Sequence, residues 1–378
     1  MASSKGLCSA SGAPALPSRR AAHDAEAPRT ATAISRRSAI AAAIAAAVAG
    51  IGGAAALTGC SPASSAPSDR PADAATGSTF AFDTFCTFTV YGDDEAPAKL
   101  SAACARYDKL FDLYDPASDI ARVNDAGGAA TAVDRETAEL VAEALAFCAS
   151  AQGLFDITVG AVSTLWDFEK GIRPADDSIA DALQHVDWKL VDVDVEASTV
   201  RLADPAAKID LGGIAKGFIA DRLCKLLEDE TTATGAALSL GGNIAYFGSK
   251  PDGTPWNTGI RDPNDPGGSR TVGTAHLDGG SLVTSGLYER TFELDGETYW
   301  HILDPRTGMP VATDTVSVTV ACPSSTTADA LSTTLFVAGS RDGAALADAH
   351  EKTAAYFIKD DGSTAESSKW QELTSFEA

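Results

Sequence analysis

The sequence predicts an α+β fold built on antiparallel sheet rather than a doubly wound parallel one. Between residues 237 and 320 it offers short strand candidates at 237–240, 244–247, 256–260, 281–284, 290–294, 298–303 and 316–320, several separated by glycine-rich turns. Helical apolar periods lie before and after that run instead of alternating with each strand. No internal repeat is present, and about 300 residues after the N-terminal segment leave room for one large domain or two closely joined ones.

In chain order, Thr87–Tyr91 alternates polar and apolar residues and reads as an early strand. From about 96 to 114, Leu100, Cys104, Tyr107, Leu110 and Phe111 recur at helical spacing. Asp134 can cap a second helix whose apolar face is Leu140, Ala144, Leu145 and Cys148, with Gly153 just past its end. A turn and a short apolar piece follow over 153–160, ahead of Leu165 and Trp166. Residues 189–202 read as a hairpin that bends near Ala197 and Ser198. Asp210 is expected to end a brief strand, and a helix over 214–228 turns Ile214, Phe218, Leu223 and Leu227 inward. Helices near 326–338 and 341–350 and a strand at 354–358 close the chain.

The first sixty residues read as an export signal. The pair Arg36-Arg37 precedes an uncharged, alanine-rich run from about Ala39 to Leu57, which ends in Thr58-Gly59-Cys60. That ending is similar to a bacterial lipobox, with Cys60 as the lipid-bearing residue, and the arginine pair resembles a twin-arginine signal. An uncleaved membrane anchor of similar length is the alternative. Residues 61–78, rich in Ser, Pro and Ala, read as a flexible linker, and the folded domain is expected over 79–378. The expected location is outside the cell membrane, held there by lipid.

The chain carries 29 Lys+Arg against 52 Asp+Glu, a formal charge of -23. That surface excludes nucleic acid as a partner and repels free anions. A phosphorylated ligand would need local donors and a metal. Of the 7 cysteines, those at 86, 104, 148, 224 and 322 lie in the expected domain, with neither a CxxC spacing nor a Cys/His cluster that would suggest zinc.

Three segments carry candidate chemistry. Asp210-Leu-Gly-Gly-Ile-Ala-Lys216-Gly217 joins a carboxylate, a glycine turn and a lysine at a helix start, where the helix dipole disfavours a cation unless an anion faces it. It matches neither a Walker loop nor a GxGxxG fingerprint, and an ordinary strand-turn-helix would use the same glycines. Ala328-Asp329-Ala-Leu-Ser-Thr333 sets an acid and a hydroxyl four residues apart on one helix face, oxygen donors suited to a hard cation such as Mg2+. A first-turn acid and a hydroxyl bonded back to its own helix would look the same. In His301-Ile-Leu-Asp304-Pro-Arg-Thr-Gly308, an imidazole at a strand end with a carboxylate three residues on suits a general base, and a structural histidine beside a turn fits equally. Thr284-Ser-Gly286 adds small polar groups at a strand end.

Taken in order with Phe82-Asp-Thr84, Tyr114-Asp-Pro, Leu154-Phe-Asp156 and Ser239-Leu-Gly-Gly242, these motifs resemble the ApbE family of FAD:protein FMN transferases, from about Phe82 to the last strand. The resemblance implies a single large domain with mixed or antiparallel sheets flanked by helices. It implies Mg2+ held by Asp329, Thr333 and the Gly213 carbonyl, and FAD surrounded by Phe82, Tyr114, Leu154, Phe155, Asp156, Asp210, Lys216 and Leu282. His301 would be the base, with Lys216 and Asp304 as its catalytic companions. Phe82-Asp83-Thr84 stands where many members have Met-Gly-Thr, and Ser332 where some have a further acid.

The implied reaction moves FMN from FAD to a threonine hydroxyl of an exported acceptor, releasing AMP. Membrane redox complexes or extracellular electron-transfer proteins are the expected acceptors. Hydrolysis of FAD to FMN and AMP by the same site is the rival, and a lipoprotein that binds FAD without chemistry is a third reading.

Overall fold

The computed structural model describes residues 74–265 and 269–378. The expected export signal and Cys60 lie outside them, as does most of the linker. Among the described residues no helix is long and apolar enough to cross a membrane.

The described chain opens with a hairpin, β1 (Ala75–Ala81) and β2 (Thr84–Tyr91), so residues 75–78, assigned by composition to the linker, are strand. The helices α1 (Ala96–Phe111) and α2 (Asp119–Asn124) follow, then β3 (Thr131–Ala132) and α3 (Arg135–Ser150). Asp134 caps α3 by accepting the Glu136 N–H at 2.9 Å. Next come α4 (Gly160–Ser163), α5 (Asp176–Leu183), β4 (Val191–Asp194) and β5 (Thr199–Leu202), the last two being the expected hairpin, which turns through Ser198 at φ 51°.

No strand ends at Asp210. Lys208 makes one isolated parallel bridge with Val159, and the Gly212-Gly213 turn starts before a ladder can extend. Helix α6 (Ala215–Glu230) then leads into β6 (Gly235–Leu240), β7 (Asn243–Gly248), β8 (Trp256–Arg261), β9 (Thr271–Leu277) and β10 (Gly280–Gly286). Strands β11 (Thr291–Leu294) and β12 (Glu297–Trp300) form a hairpin, so the strand expected over 298–303 stops short of His301. Leu303 bridges only to Pro310, because Asp304–Gly308 folds into a turn closed by the Gly308 N–H on the Asp304 carbonyl at 2.8 Å. The chain closes with β13 (Thr315–Cys322), α7 (Ser325–Ala338), α8 (Ser340–Ala349), β14 (Ala354–Lys359), β15 (Thr364–Glu366) and α9 (Trp370–Thr374).

Eight strands form one sheet in the order β1-β2-β6-β7-β10-β13-β14-β15, and every neighbouring pair is antiparallel. The α+β expectation therefore holds, with a sheet that is antiparallel throughout.

The period of two along each strand divides the core. On one face Phe88, Leu238 and Ala245 pack with Leu100, Phe218 and Leu223 of α1 and α6, while Val283, Val318 and Val320 pack with Leu331 and Phe336 of α7. On the other, Leu282, Ala321 and Tyr356 pack with Trp256 and Trp370. Helices α6 and α7 lie side by side on the first face. Gly217 packs directly against α7, since an added Cβ there would lie 2.3 Å from the Ser325 carbonyl oxygen and 2.7 Å from Asp329 Cβ.

Candidate active site

The site is built where the first turns of α6 meet α7. Asp210 forms the turn before α6: its Oδ1 accepts the Gly212 N–H at 2.9 Å and its Oδ2 accepts the Ser163 hydroxyl at 2.7 Å. Ile214 occupies the N-cap position and supplies no side-chain acceptor. A helix start lacking its own cap needs acceptors from elsewhere. Asp329, only 4% exposed, provides one by taking the Gly217 N–H on Oδ2 at 2.8 Å.

The relationship is reciprocal. Asp221 of α6 accepts the Ser325 and Thr326 N–H groups at 2.9 Å each, and the hydroxyls of Ser324 at 2.9 Å and Thr326 at 2.7 Å, at the start of α7. Each helix thus carries the acid that closes the other's first turn. Sequence reasoning missed Asp221, although its position four residues after Gly217 put it on the same helix face.

Thr333 sits one turn beyond Asp329 on α7. An ideal Cβ at Gly213 would lie 3.2 Å from Thr333 Oγ1 and 3.0 Å from Phe155 Cε2, so the glycine turn of one segment and the hydroxyl of the other are neighbours. Ser332 and Thr334 donate back to the Asp329 and Ala330 carbonyls at 2.8 Å each. Thr333 makes no such bond, and Asp329 Oδ1 accepts none among the described residues. These oxygens, together with the carbonyl expected from Gly213, fit a hard divalent cation that keeps most of its shell from water and phosphate oxygens. Among the described residues no group of three or more His, Cys, Asp or Glu side chains is placed to hold a metal. Such a site would rest on a single carboxylate.

Lys216 projects from the first turn of α6, where among the described residues its Nζ reaches only the Gly212 carbonyl, at 3.5 Å, and no acidic side chain pairs with it. Its charge is felt at His301. The imidazole lies just beyond β12, and its pKa is pushed down to about 4, first by burial, then by the Arg290 and Lys216 charges. His301 is therefore neutral at pH 7, and its Nδ1 is buried without a hydrogen-bond partner among the described residues. Its backbone N–H donates to the Arg290 carbonyl at 3.2 Å.

Asp304 does not orient that imidazole, contrary to the sequence-based expectation. Arg306 occupies both of its oxygens, at 2.8 and 2.7 Å, and the Arg306 N–H adds a third bond at 2.9 Å. Burial works to raise the Asp304 pKa, but these bonds hold it below the ordinary carboxylate value. The local turn claimed the acid, as turn chemistry favours.

The other candidates divide between site and scaffold. Phe155 is buried against Gly213, and Leu154 packs beside the α7 cluster. Asp156 is spent on structure: Oδ1 takes the Thr158 N–H and hydroxyl, and Oδ2 the Trp188 N–H at 3.2 Å. Burial raises its pKa. Tyr114 is 67% exposed, with Asp210, Arg290 and Asp83 among the charges around its hydroxyl.

Phe82 and Asp83 are the two-residue connection of the β1–β2 hairpin, with φ of 56° and 55°. A turn with two positive φ values favours Asn and Gly, and a bulky aromatic there is strained. The Phe82 N–H is held by Asp108 Oδ1 at 2.7 Å.

Leu282 is misplaced by the sequence reading. It is 2% exposed in the Trp256 and Tyr356 cluster, on the sheet face away from α7. Its neighbours Ser281 and Val283 face α7 instead, since successive strand residues point to opposite faces.

Sequence reasoning also missed Arg290. Its only local signal was a basic residue shortly after Thr284-Ser-Gly286, which says nothing of a histidine eleven positions on.

The ApbE family model matches residues 82–357. A Treponema pallidum protein named FAD:protein FMN transferase is 40% identical over 236 residues, covering 58% of this chain and 65% of that protein. A Haemophilus influenzae protein of the same name is 31% identical over 271 residues, 69% of this chain and 78% of its own length. Among solved structures, the ApbE protein from Thermotoga maritima matches with a TM-score of 0.72 and 32% identity, over 79% of this chain and 99% of that one. The flavinyl transferase ApbE from Pseudomonas stutzeri, in its apo form, matches with a TM-score of 0.69 and 28% identity, over 79% and 96%.

Proposed function

This chain belongs to the ApbE family, and on that premise we propose that it transfers FMN from FAD to a threonine hydroxyl of an exported acceptor protein, with AMP released. The names of its relatives support flavin transfer. The observation that carries the reading within this chain is the meeting of two remote segments: Gly213 against the unbonded Thr333 hydroxyl, and Gly217 against Asp329.

In this reading the acceptor oxygen forms a bond to the FMN phosphorus while the bond from that phosphorus to the bridging oxygen breaks, and AMP leaves with that oxygen. The proton leaves the threonine hydroxyl for His301, which is neutral and able to take it. Lys216, without a carboxylate partner among the described residues, counters negative charge on the diphosphate. Asp329, Thr333 and the Gly213 carbonyl would hold Mg2+, which would neutralise further diphosphate charge. Tyr114, exposed at the same end, offers a ring face to the flavin. Asp210 keeps the turn before Lys216 in shape rather than touching the reacting atoms.

The export signal and the Cys60 motif support a lipid-anchored enzyme at the outer face of the cell membrane. Acceptors in a membrane redox complex or an extracellular electron-transfer system fit that address.

Incubation of the protein with FAD, Mg2+ and a threonine-bearing acceptor, followed by intact-mass analysis, tests the reading. FMN mass on the acceptor with stoichiometric AMP supports it. AMP and free FMN without acceptor labelling would make the chain an FAD pyrophosphatase. Binding of FAD with no AMP would leave only a flavin-binding lipoprotein.

A further inference from the structure

Helices α6 and α7 run antiparallel, and their contacts form a ladder with one rung per turn. On the first rung Asp221 Oδ1 accepts the Ser325 N–H and Oδ2 the Thr326 N–H, at 2.9 Å each. On the second the Gly217 N–H donates to Asp329 Oδ2 at 2.8 Å. On the third Gly213, just before α6, lies against Thr333, whose Oγ1 an added Cβ would meet at 3.2 Å. Each rung lies about one helical turn from the next on both segments, so fixing one fixes the register of the others. The second and third rungs hold the proposed metal donors, and the first holds none of them.

That first rung is bonded more heavily than capping requires. Helix α7 has its own cap, Ser324, whose hydroxyl oxygen accepts the Thr327 N–H at 3.2 Å. Asp221 adds the two amides, the Ser324 hydroxyl at 2.9 Å and the Thr326 hydroxyl at 2.7 Å. Ser325 and Thr326 are buried, so water cannot stand in for the carboxylate. The Ser325 hydroxyl donates to Asn243 Oδ1 at 2.9 Å, which ties the same residue to β7 in the sheet below. Both Asp221 oxygens are occupied by α7 donors, so this acid is not itself a ligand.

We propose that Asp221 is a positioning residue for the metal site: it sets the register of α7 on α6 and thereby holds Asp329 and Thr333 opposite the Gly213 turn. The inference rests on the flavin-transfer reading with its Mg2+ site, and adds the device that preorganises it. A slip of α7 along α6 would part Thr333 from Gly213 while leaving every donor chemically intact.

Equilibrium binding of FAD, followed by flavin fluorescence while Mg2+ is titrated, reads the site without turnover. Asp221→Ala is expected to raise the half-saturating Mg2+ concentration roughly tenfold to a hundredfold, the range for groups that orient metal ligands. Asp221→Asn, which keeps one oxygen, and Thr326→Val, which removes one donor, should give smaller shifts in that order. In the Asp221→Ala background Thr333→Val should add little, because the hydroxyl has already left its place. Ser367→Ala is the control, since it removes only a buried bond to the Ala355 N–H, at 2.9 Å, just past the edge strand β15. A cap that merely stabilised the fold would lower the unfolding midpoint and leave the Mg2+ half-saturation of Asp221→Ala equal to that of Ser367→Ala. That equality overturns the proposal, as does full additivity with Thr333→Val. Should Asp221→Ala fail to fold, graded shifts in Asp221→Asn and Thr326→Val support the proposal and their absence refutes it. Failure of the unaltered protein to bind FAD, or binding indifferent to Mg2+, would instead remove the metal-assisted reading, and this inference with it.

Discussion

Asp329 accepts the Gly217 N–H at 2.8 Å across 112 positions of sequence. On the proposed reading one carboxylate serves two ends: Oδ2 closes the first turn of α6, and Oδ1, which accepts no hydrogen bond among the described residues, would face the ligand. The two tasks predict different consequences for two substitutions. Asp329→Asn keeps a carbonyl oxygen for the Gly217 amide, so stability should change little. Asp329→Ala leaves that buried amide unpaired and should cost about 1–3 kcal/mol. Both should abolish Mg2+-dependent AMP release, because neither offers an anionic oxygen. Denaturant unfolding beside an AMP assay checks the split, and full activity in Asp329→Asn would remove the metal role.

Neighbouring threonines on α7 provide a matched control. Thr334 spends its hydroxyl on the Ala330 carbonyl, whereas Thr333 has no such bond. Thr333→Val should leave the unfolding midpoint close to that of the parent and raise the Mg2+ concentration needed for transfer. Thr334→Val should leave the metal requirement where it is. Metal titrations of the two variants, run side by side, decide the point.

Gly217 is a packing requirement rather than a chemical one. A Cβ there would come 2.3 Å from the Ser325 carbonyl oxygen, a backbone atom unable to step aside alone. Gly217→Ala should destabilise the fold by about 1–3 kcal/mol, the usual cost of overpacking. Thermal unfolding measures it, and a stability equal to the parent's would mean that α6 can slide on α7.

Lys216 presents the opposite case. Its ammonium has no acidic partner to lose among the described residues, so Lys216→Gln should leave stability within about 0.5 kcal/mol of the parent. Transfer should fall roughly a hundredfold, the scale of removing one preorganised charge stabiliser. A variant that retained the parent rate would exclude contact with the diphosphate.

His301 predicts a pH dependence with a defined sign. Its pKa is about 4 in the folded chain against an ordinary value of 6.5, held down by burial, Arg290 and Lys216. Between those values the unfolded chain binds a proton that the native chain does not, so this residue makes stability rise with pH from about 4 to 6.5 and adds no slope above. His301→Gln should flatten that rise in unfolding free energy measured from pH 4.5 to 7. Bound diphosphate would offset both cations and raise the imidazole pKa. The acid limb of kcat should then lie at higher pH than that of kcat/KM.

Much of the fold was legible because it is encoded locally. Asp134 caps α3 as its position suggested, Ser198 turns the β4–β5 hairpin, and Leu100, Cys104 and Phe218 are buried at the helical spacing that marked them. Strand ends were less legible. Leu303 keeps only an isolated bridge, because the Asp304 turn ends pairing, and the Asp210 segment never finds a ladder partner. Side-chain alternation could have warned against Leu282, since Ser281 and Val283 bracket it, but which face of β10 meets α7 is not written in β10.

By itself the sequence determined the α+β class, the helix faces and the chemical types held in each motif, because periodicity and turn chemistry act over a few residues. Only the tertiary structure decided which carboxylates remain available: Asp304 went to Arg306 and Asp156 to Thr158, while Oδ1 of Asp329 accepts no bond among the described residues. It also set Arg290 beside His301 and the start of α6 against α7. Such pairings depend on how a sheet stacks its strands and where helices cross it, and no local period carries that information.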